Sequence, residues 1–373
     1  MASKKVIFTG VVGACTITWI DNLPEKRRIL LVGELHHNRA DGKDLIEYIK
    51  KVSKIECVDV YVEQGRNWEP PSYLNLKGSG SHSLGLLHAM RKYANDKPNN
   101  DNVRFHSVDV RQAYTILNDY REYEVVDSTL SIDKLIAVFN EREYFAFLTG
   151  ETQVLQKGDR TLGQLAVAYK KIRYHYYPYE GIKAIRLRFE KQRKRFYKTF
   201  PKLKRSEIRK KIKEWYESDY SKYKKKRNDE NYDIAKPVDL FAFYRMFGNF
   251  DNKRKFKDCP SYQKNIIYVS GARHSENLTR LIERIFNISY TARFGYSLEK
   301  LDKKMGKVIE KVTKVAIEAQ SRFDDEDDYQ DYLEDLTNDT DTYLRDLYLE
   351  LSKKVSSDLS KYKKSIKKLI TFF

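Results

Sequence analysis

Glu34 and His36 stand directly behind an apolar run in "ILLVGELHHNR", Glu63 closes "CVDVYVE", Asp109 and Arg111 close "VRFHSVDVR", and His274 follows "NIIYVSG" by one short turn. Two carboxylates and two imidazoles are a donor set suited to a divalent ion such as Zn, Mn, Co or Fe, with positions left open for water. An ion held in this way lowers the pKa of bound water toward neutrality and polarises a carbonyl or phosphoryl oxygen. Asp109 is then placed to orient a ligand histidine, and Arg111 or Arg273 to hold negative charge on a substrate or transition state. A metal-free arrangement, with His36 as general base oriented by a glutamate, draws on the same residues.

These side chains share a position: each lies at the carboxyl end of an expected strand. "ILLVG" is apolar on both faces and suits the middle of a parallel sheet, while "ACTITWI" alternates and suits a half-exposed strand. Leu45, Ile46, Ile49 and Val52 recur at helical spacing after the first core strand. Strands at "CVDVYVE" and "VRFHSVDVR" flank a helical "SLGLLHAMRKYA", and "NIIYVSGARHSENLTRLIERIF" reads as strand, glycine turn and helix. This alternation predicts an α/β fold with a mainly parallel sheet flanked by helices. Carboxyl ends of parallel strands share one edge of the sheet, where ligands bind. The glycine of "LVGE" is expected to end its strand and turn the acid and imidazoles toward that edge.

The sheet pattern is interrupted. Residues 6–125 and 238–297 are expected to form the two halves of the α/β core, 126–237 a basic helical insertion, and 298–373 carboxyl-terminal helices that pack on the core or mediate assembly. Residues 181–230 hold 20 Lys/Arg against 7 Asp/Glu, which accounts for most of the net charge of +18. Aromatics interleave with these basic residues: Phe189, Phe196, Tyr197, Phe200, Trp215, Tyr216, Tyr220 and Tyr223. Two arrangements produce that texture. Phosphate-neutralising cations can alternate with base-stacking rings, giving a nucleic-acid or acidic-partner surface. Alternatively, lysine and arginine stems cover aromatics on a solvated helix face, the arrangement favoured because no nucleic-acid recognition motif is present.

Taken together, "GELH", the strand-terminal glutamate of "YVEQGR", "DVR" and the late "GARH" resemble the Tiki/TraB, erythromycin-esterase-like and haem-uptake (ChaN-like) superfamily. The resemblance covers roughly residues 10–120 and 262–297. It implies an α/β fold, metal-dependent peptide cleavage or ester hydrolysis, and a site carried by Glu34, His36, Glu63 and His274, with Arg111 beside them. It also implies a peptide or ester substrate. The Lys-, Tyr-, Asn- and Ile-rich composition resembles that of AT-rich genomes, including large DNA viruses, so a virion-associated protein is one expectation.

Other features narrow the field. At 373 residues with 33% charged and 41% hydrophobic residues, the chain has enough apolar content for a core and a heavily charged surface. No apolar stretch is long enough to span a bilayer, and the first residues lack a signal-peptide pattern, which predicts a cytoplasmic protein. Cys15, Cys57 and Cys259 form no C-x-x-C pair, so neither a disulfide nor a thiolate zinc site is expected. No G-x-S-x-G elbow or Walker A loop occurs, and "GSGSHS" at 78–83 reads as a loop. His37, His82, His88, His106 and His175 are expected to be exposed or structural. Two functions follow: a metal-dependent amide or ester hydrolase, or a non-enzymatic structural or nucleic-acid-binding assembly protein built on the same fold.

Overall fold

The computed structural model describes residues 6–7, 14–34, 42–63, 86–96, 102–108, 179–224, 235–250 and 259–297, with parts of 300–361 and residues 371–372. Its centre is a six-stranded sheet formed by β2 (Ala14–Ile20), β3 (Arg28–Glu34), β4 (Val58–Val62), β5 (Val103–Ser107), β6 (Asn265–Gly271) and β7 (Ala292–Gly295). The order across the sheet is β5-β4-β6-β3-β2-β7. Strands β5, β4, β6 and β3 run parallel, whereas β2 pairs antiparallel with both β3 and β7. The α/β class holds; the sheet is mixed rather than mainly parallel. The reason is local, since only residues 21–27 join β2 to β3, too short a link for a parallel crossover. A separate pairing joins β1 (Val6–Ile7) to β8 (Thr371–Phe372), so Val6 and Ile7 are not part of the six-stranded sheet.

Strand alternation divides the core in two. Leu30, Val32, Val58, Val60, Val62, Ile267 and Val269 face α1 (Lys43–Ser53) and α2 (Leu86–Asp96). Ile29, Leu31, Tyr61, Ile266 and Tyr268 face the other way, against α3 (Tyr179–Thr199), α4 (Arg205–Lys224), α5 (Ala235–Phe247) and α6 (Ala272–Phe286). Helices α3 and α4 belong to the basic segment, and Phe189, Phe196, Phe200, Trp215 and Tyr216 from it sit in this second core, with Tyr197 packed against it. Phe189, Phe196, Trp215 and Tyr216 are all buried. Each such side chain stabilises the packed state by about 1.5–3 kcal/mol. The rings therefore pack α3 against α5 and α4 against α6, and Lys191, Lys194, Lys198, Lys202, Lys204, Arg205, Arg209 and Lys210 remain on the solvent side.

Gly33 does not end β3. The strand continues to Glu34, which pairs with Gly271. A Cβ at Gly33 would overlap Thr16 and lie 2.9 Å from Ala272 Cα, so the missing side chain lets the first turn of α6 lie against the sheet. Toward the carboxyl terminus, Leu351, Val355 and Leu359 form a buried stripe, and Val355 and Leu359 join the α1–α2 core.

The cysteines depart from expectation as well: Cys57 and Cys259 form a disulfide across 202 residues. Cys57 directly precedes β4, Cys259 shortly precedes β6, and these parallel neighbours start in register at Val58 and Asn265. Register in three dimensions pairs them, which sequence spacing does not display. Disulfides persist in oxidising surroundings, so the bridge does not favour the cytoplasmic location expected from the sequence. No helix among the described residues is long and apolar enough to cross a membrane.

Candidate active site at the carboxyl ends of β4 and β6

Glu63 is the first residue beyond β4, and its backbone N–H still donates to Val269 O of β6 at 3.0 Å. The ladder thus carries the glutamate to the end of β6, where its Oε2 accepts the Gly271 N–H at 2.7 Å. Gly271 immediately precedes α6, so this carboxylate lies at the positive end of a helix dipole. His274 occupies the first turn of that helix. Its Nε2 lies 2.9 Å from Glu63 Oε1, and its Nδ1 lies 2.6 Å from Asp239 Oδ1. Asp239 comes from α5, and its second oxygen accepts a 3.0 Å hydrogen bond from Asn277 Nδ2. Glu63, His274, Asp239 and Asn277 are all buried.

Two acids thus hold one imidazole. Burial alone would drive the proton from His274, but the charges of Asp239 and Glu63, in direct contact, outweigh it and raise the pKa to about 10. Each ring N–H donates to a carboxylate oxygen.

This donor chemistry fits a divalent cation. Ligand atoms that each lie about 2.0–2.2 Å from one ion are roughly 3 Å apart along an edge of its coordination shell. The Nε2 to Oε1 separation has that value, and the Nε2 proton occupies the place a cation takes between a histidine and a glutamate. A carboxylate on Nδ1, where Asp239 lies, is the partner that would fix the tautomer were Nε2 to take a cation. Among the described residues, however, no group of three or more His, Cys, Asp and Glu side chains is arranged to hold a metal ion. Glu63 and His274 would supply two donors, and the remainder would come from elsewhere.

Glu34 is placed differently. It follows Val32 by two positions, and Val32 faces α1 and α2, whereas Glu63 follows Tyr61 on the α5–α6 face. Glu34 Oε2 accepts the Leu87 N–H in the first turn of α2, 3.3 Å away. The structure therefore brings Glu63 and His274 together and sets Glu34 on the neighbouring strand end, toward the other face. Cys15 lies beside it and donates to Gly33 O, its thiol pushed up to about 12 by burial, with the Glu34 charge adding to the effect. That thiol is not poised as a nucleophile. His36, Asp109 and Arg111 lie outside the described residues, as do His37, His82, His175, the 78–83 loop and the His88 side chain.

Asp239 was missed by the sequence reading. It lies in "AKPVDLFAF", an apolar helix with only a weak polar pattern, and its pairing with His274 spans 35 positions. The available signal was a lone acid surrounded by residues that are otherwise buried, which is uncommon without a partner.

A second buried polar group lies nearer the sheet edge. Asp59 takes both guanidinium arms of Arg104 at 2.7 Å and the Nε2–H of His106 at 2.7 Å. Arg245 donates to His106 Nδ1 at 3.2 Å, and the ring stacks between Tyr61 and Phe250. These contacts tie β4, β5 and α5 together, in keeping with a structural His106.

Comparison with family models, with curated proteins and with solved structures found no match for this chain.

Proposed function

We propose that the protein is a hydrolase cleaving amide or ester bonds, with its centre at Glu63 and His274 and a divalent ion as cofactor. The observation that carries this reading is the buried Glu63–His274–Asp239 chain at the carboxyl edge of parallel strands. The motif resemblance to Tiki/TraB and erythromycin-esterase-like proteins agrees with it.

Glu63 and His274 would hold the ion, with His36 as a further candidate and Arg111 for developing negative charge; Glu34, turned to the other face, is not placed to join them. When bound, the ion would supply Lewis-acid polarisation of the scissile carbonyl and acidify water beside it. The chain's own groups have separate tasks. Gly271 N–H fixes one Glu63 oxygen, leaving the other directed at His274. Asp239 holds the imidazole plane and keeps its proton on Nδ1, so Nε2 is the nitrogen presented to the centre.

Elemental analysis by plasma mass spectrometry, after reloading with Mn, Co and Zn, tests the reading. Stoichiometric metal in the wild type, lost in His274→Ala and Glu63→Ala, together with metal-dependent turnover of peptides or esters, is expected. A wild type that retains no metal sinks the metallohydrolase reading.

A second reading rests on the exposed lysines and arginines of α3 and α4: a non-enzymatic protein engaging nucleic acid or another polyanion. Its mark is affinity that falls steeply with salt, and salt-insensitive or absent binding removes it.

A further inference from the structure

Helix α4, at the heart of the basic segment, is linked to the candidate site by the Trp215 side chain. Trp215 Nε1–H donates to Asn277 O at 3.0 Å, and the Asn277 side chain in turn donates to Asp239 Oδ2 at 3.0 Å. A return path exists. Lys236 lies one helical turn before Asp239 on α5, is buried, and donates from Nζ to Trp215 O at 3.2 Å and Tyr216 O at 2.5 Å. The ammonium also lies 5.2 Å from the Trp215 ring centroid and 5.1 Å from that of Tyr216. The four residues therefore form a closed circuit: Lys236 to Trp215, Trp215 to Asn277, Asn277 to Asp239, and Asp239 back to Lys236 along α5.

Such a circuit restrains an oxygen on both sides. Asp239 has one carboxylate to orient; with Oδ2 anchored by Asn277, Oδ1 is left directed at His274 Nδ1. The Trp215 indole binds the backbone carbonyl of the residue that supplies that anchor, so a shift of α4 is passed to the rotamer of Asn277. A tryptophan of this size, 1% exposed, fills space as well, but its one N–H is spent on α6, the helix that carries His274.

We propose that Trp215 and Asn277 are positioning residues for His274, so that the basic helical segment is a working part of the site rather than an appendage. The proposal rests on the reading of Glu63 and His274 as the centre. It needs no direct contact between Trp215 and substrate.

The test uses the full chain labelled with 15N-histidine, in the wild type, Trp215→Phe and Asn277→Ser, with Lys204→Ala as a surface control on the same segment. Two quantities are read: the NMR resonance of the His274 Nδ1 proton, assigned by its loss in His274→Ala, and Co2+ affinity by calorimetry. Trp215→Phe keeps an aromatic ring and removes the indole donor together with some buried volume, whereas Asn277→Ser leaves the Trp215 packing in place. The expected result is a shifted or broadened Nδ1 proton in both variants, an unchanged one in Lys204→Ala, and Co2+ affinity weakened by about 10-fold. An unmoved Nδ1 resonance in folded Trp215→Phe and Asn277→Ser overturns the positioning role. Should Trp215→Phe not fold, Asn277→Ser decides alone by the same resonance. Failure of the wild type to bind Co2+ counts against the metal reading only, because the resonance still reports whether the circuit sets His274.

Discussion

Asp239 on α5 and His274 on α6 share a 2.6 Å hydrogen bond deep in the protein, and Glu63 closes on the opposite nitrogen of the same ring. Removing one partner of a buried ion pair leaves a charge without its counterion. Asp239→Ala is therefore expected to destabilise the protein by about 3–5 kcal/mol. Asp239→Asn, which keeps a hydrogen-bond acceptor, should cost less. Urea unfolding of both variants checks this, and equal stability of Asp239→Ala and wild type would contradict the pairing.

His106 gives the stability a pH dependence. Burial lowers its pKa most; the Asp59 hydrogen bond opposes this and the Arg245 charge adds to it, leaving the ring at about 4 instead of 6.5. Between those values the unfolded chain binds a proton that the folded chain refuses, so this contribution to stability is full above pH 6.5 and is lost as pH falls toward 4. The loss amounts to roughly 3 kcal/mol, taking 1.36 kcal/mol for each pKa unit. Asp59, Arg104 and Arg245 are the charged groups in contact with the ring or its partner. Comparing urea midpoints at pH 7 and pH 4.5 should show a smaller drop in His106→Gln than in wild type; identical drops would remove His106 as the source.

Thiol counting examines the covalent link. In denaturant without reductant, only Cys15 should react, and all three cysteines should react after reduction. Because the bridge closes a long loop, reduction should lower stability by up to about 5 kcal/mol in the chain-entropy treatment. Three reactive thiols before reduction would rule the bridge out.

Gly33→Ala examines the seating of α6. The added methyl meets Thr16 on one side and the Ala272 backbone on the other. Backbone cannot yield as a side-chain tip can, so overpacking should cost about 1–3 kcal/mol. It should also weaken whatever Glu63 and His274 bind, since α6 carries His274. A variant with wild-type stability would mean that the helix seats further from the sheet.

Much of the scaffold was legible because burial writes itself into periodicity. The run "ILLV" became β3, "VDVYV" became β4, and Leu45, Ile49 and Val52 form the buried side of α1. Glu63 and His274 were legible as strand-end residues, and they meet. Pairing partners were not legible, because they depend on which strands become neighbours. The antiparallel setting of β2, the Cys57–Cys259 bridge and the approach of Asp239 to His274 all arise from contacts between distant segments. Glu34 shows the finer limit: one residue of register decides which face of a sheet a side chain takes, and its neighbours in sequence look alike for either choice. In the basic segment the interleaved rings were visible, yet charge density alone did not tell a stacking surface from a core lid.

Strand β6 lies between β4 and β3, although it follows them by some two hundred residues in the chain. Before β6 is made, the main-sheet pairings open to the amino-terminal strands are β2 with β3 and β4 with β5, and each pair leaves free the edge that β6 fills. Neither can close on the other until residue 271 has left the ribosome, and unpaired edges are sites for wrong pairing. Closure of the sheet is for that reason a late event dominated by long-range contacts, and a nascent chain truncated before β6 should depend on chaperones far more than the finished one.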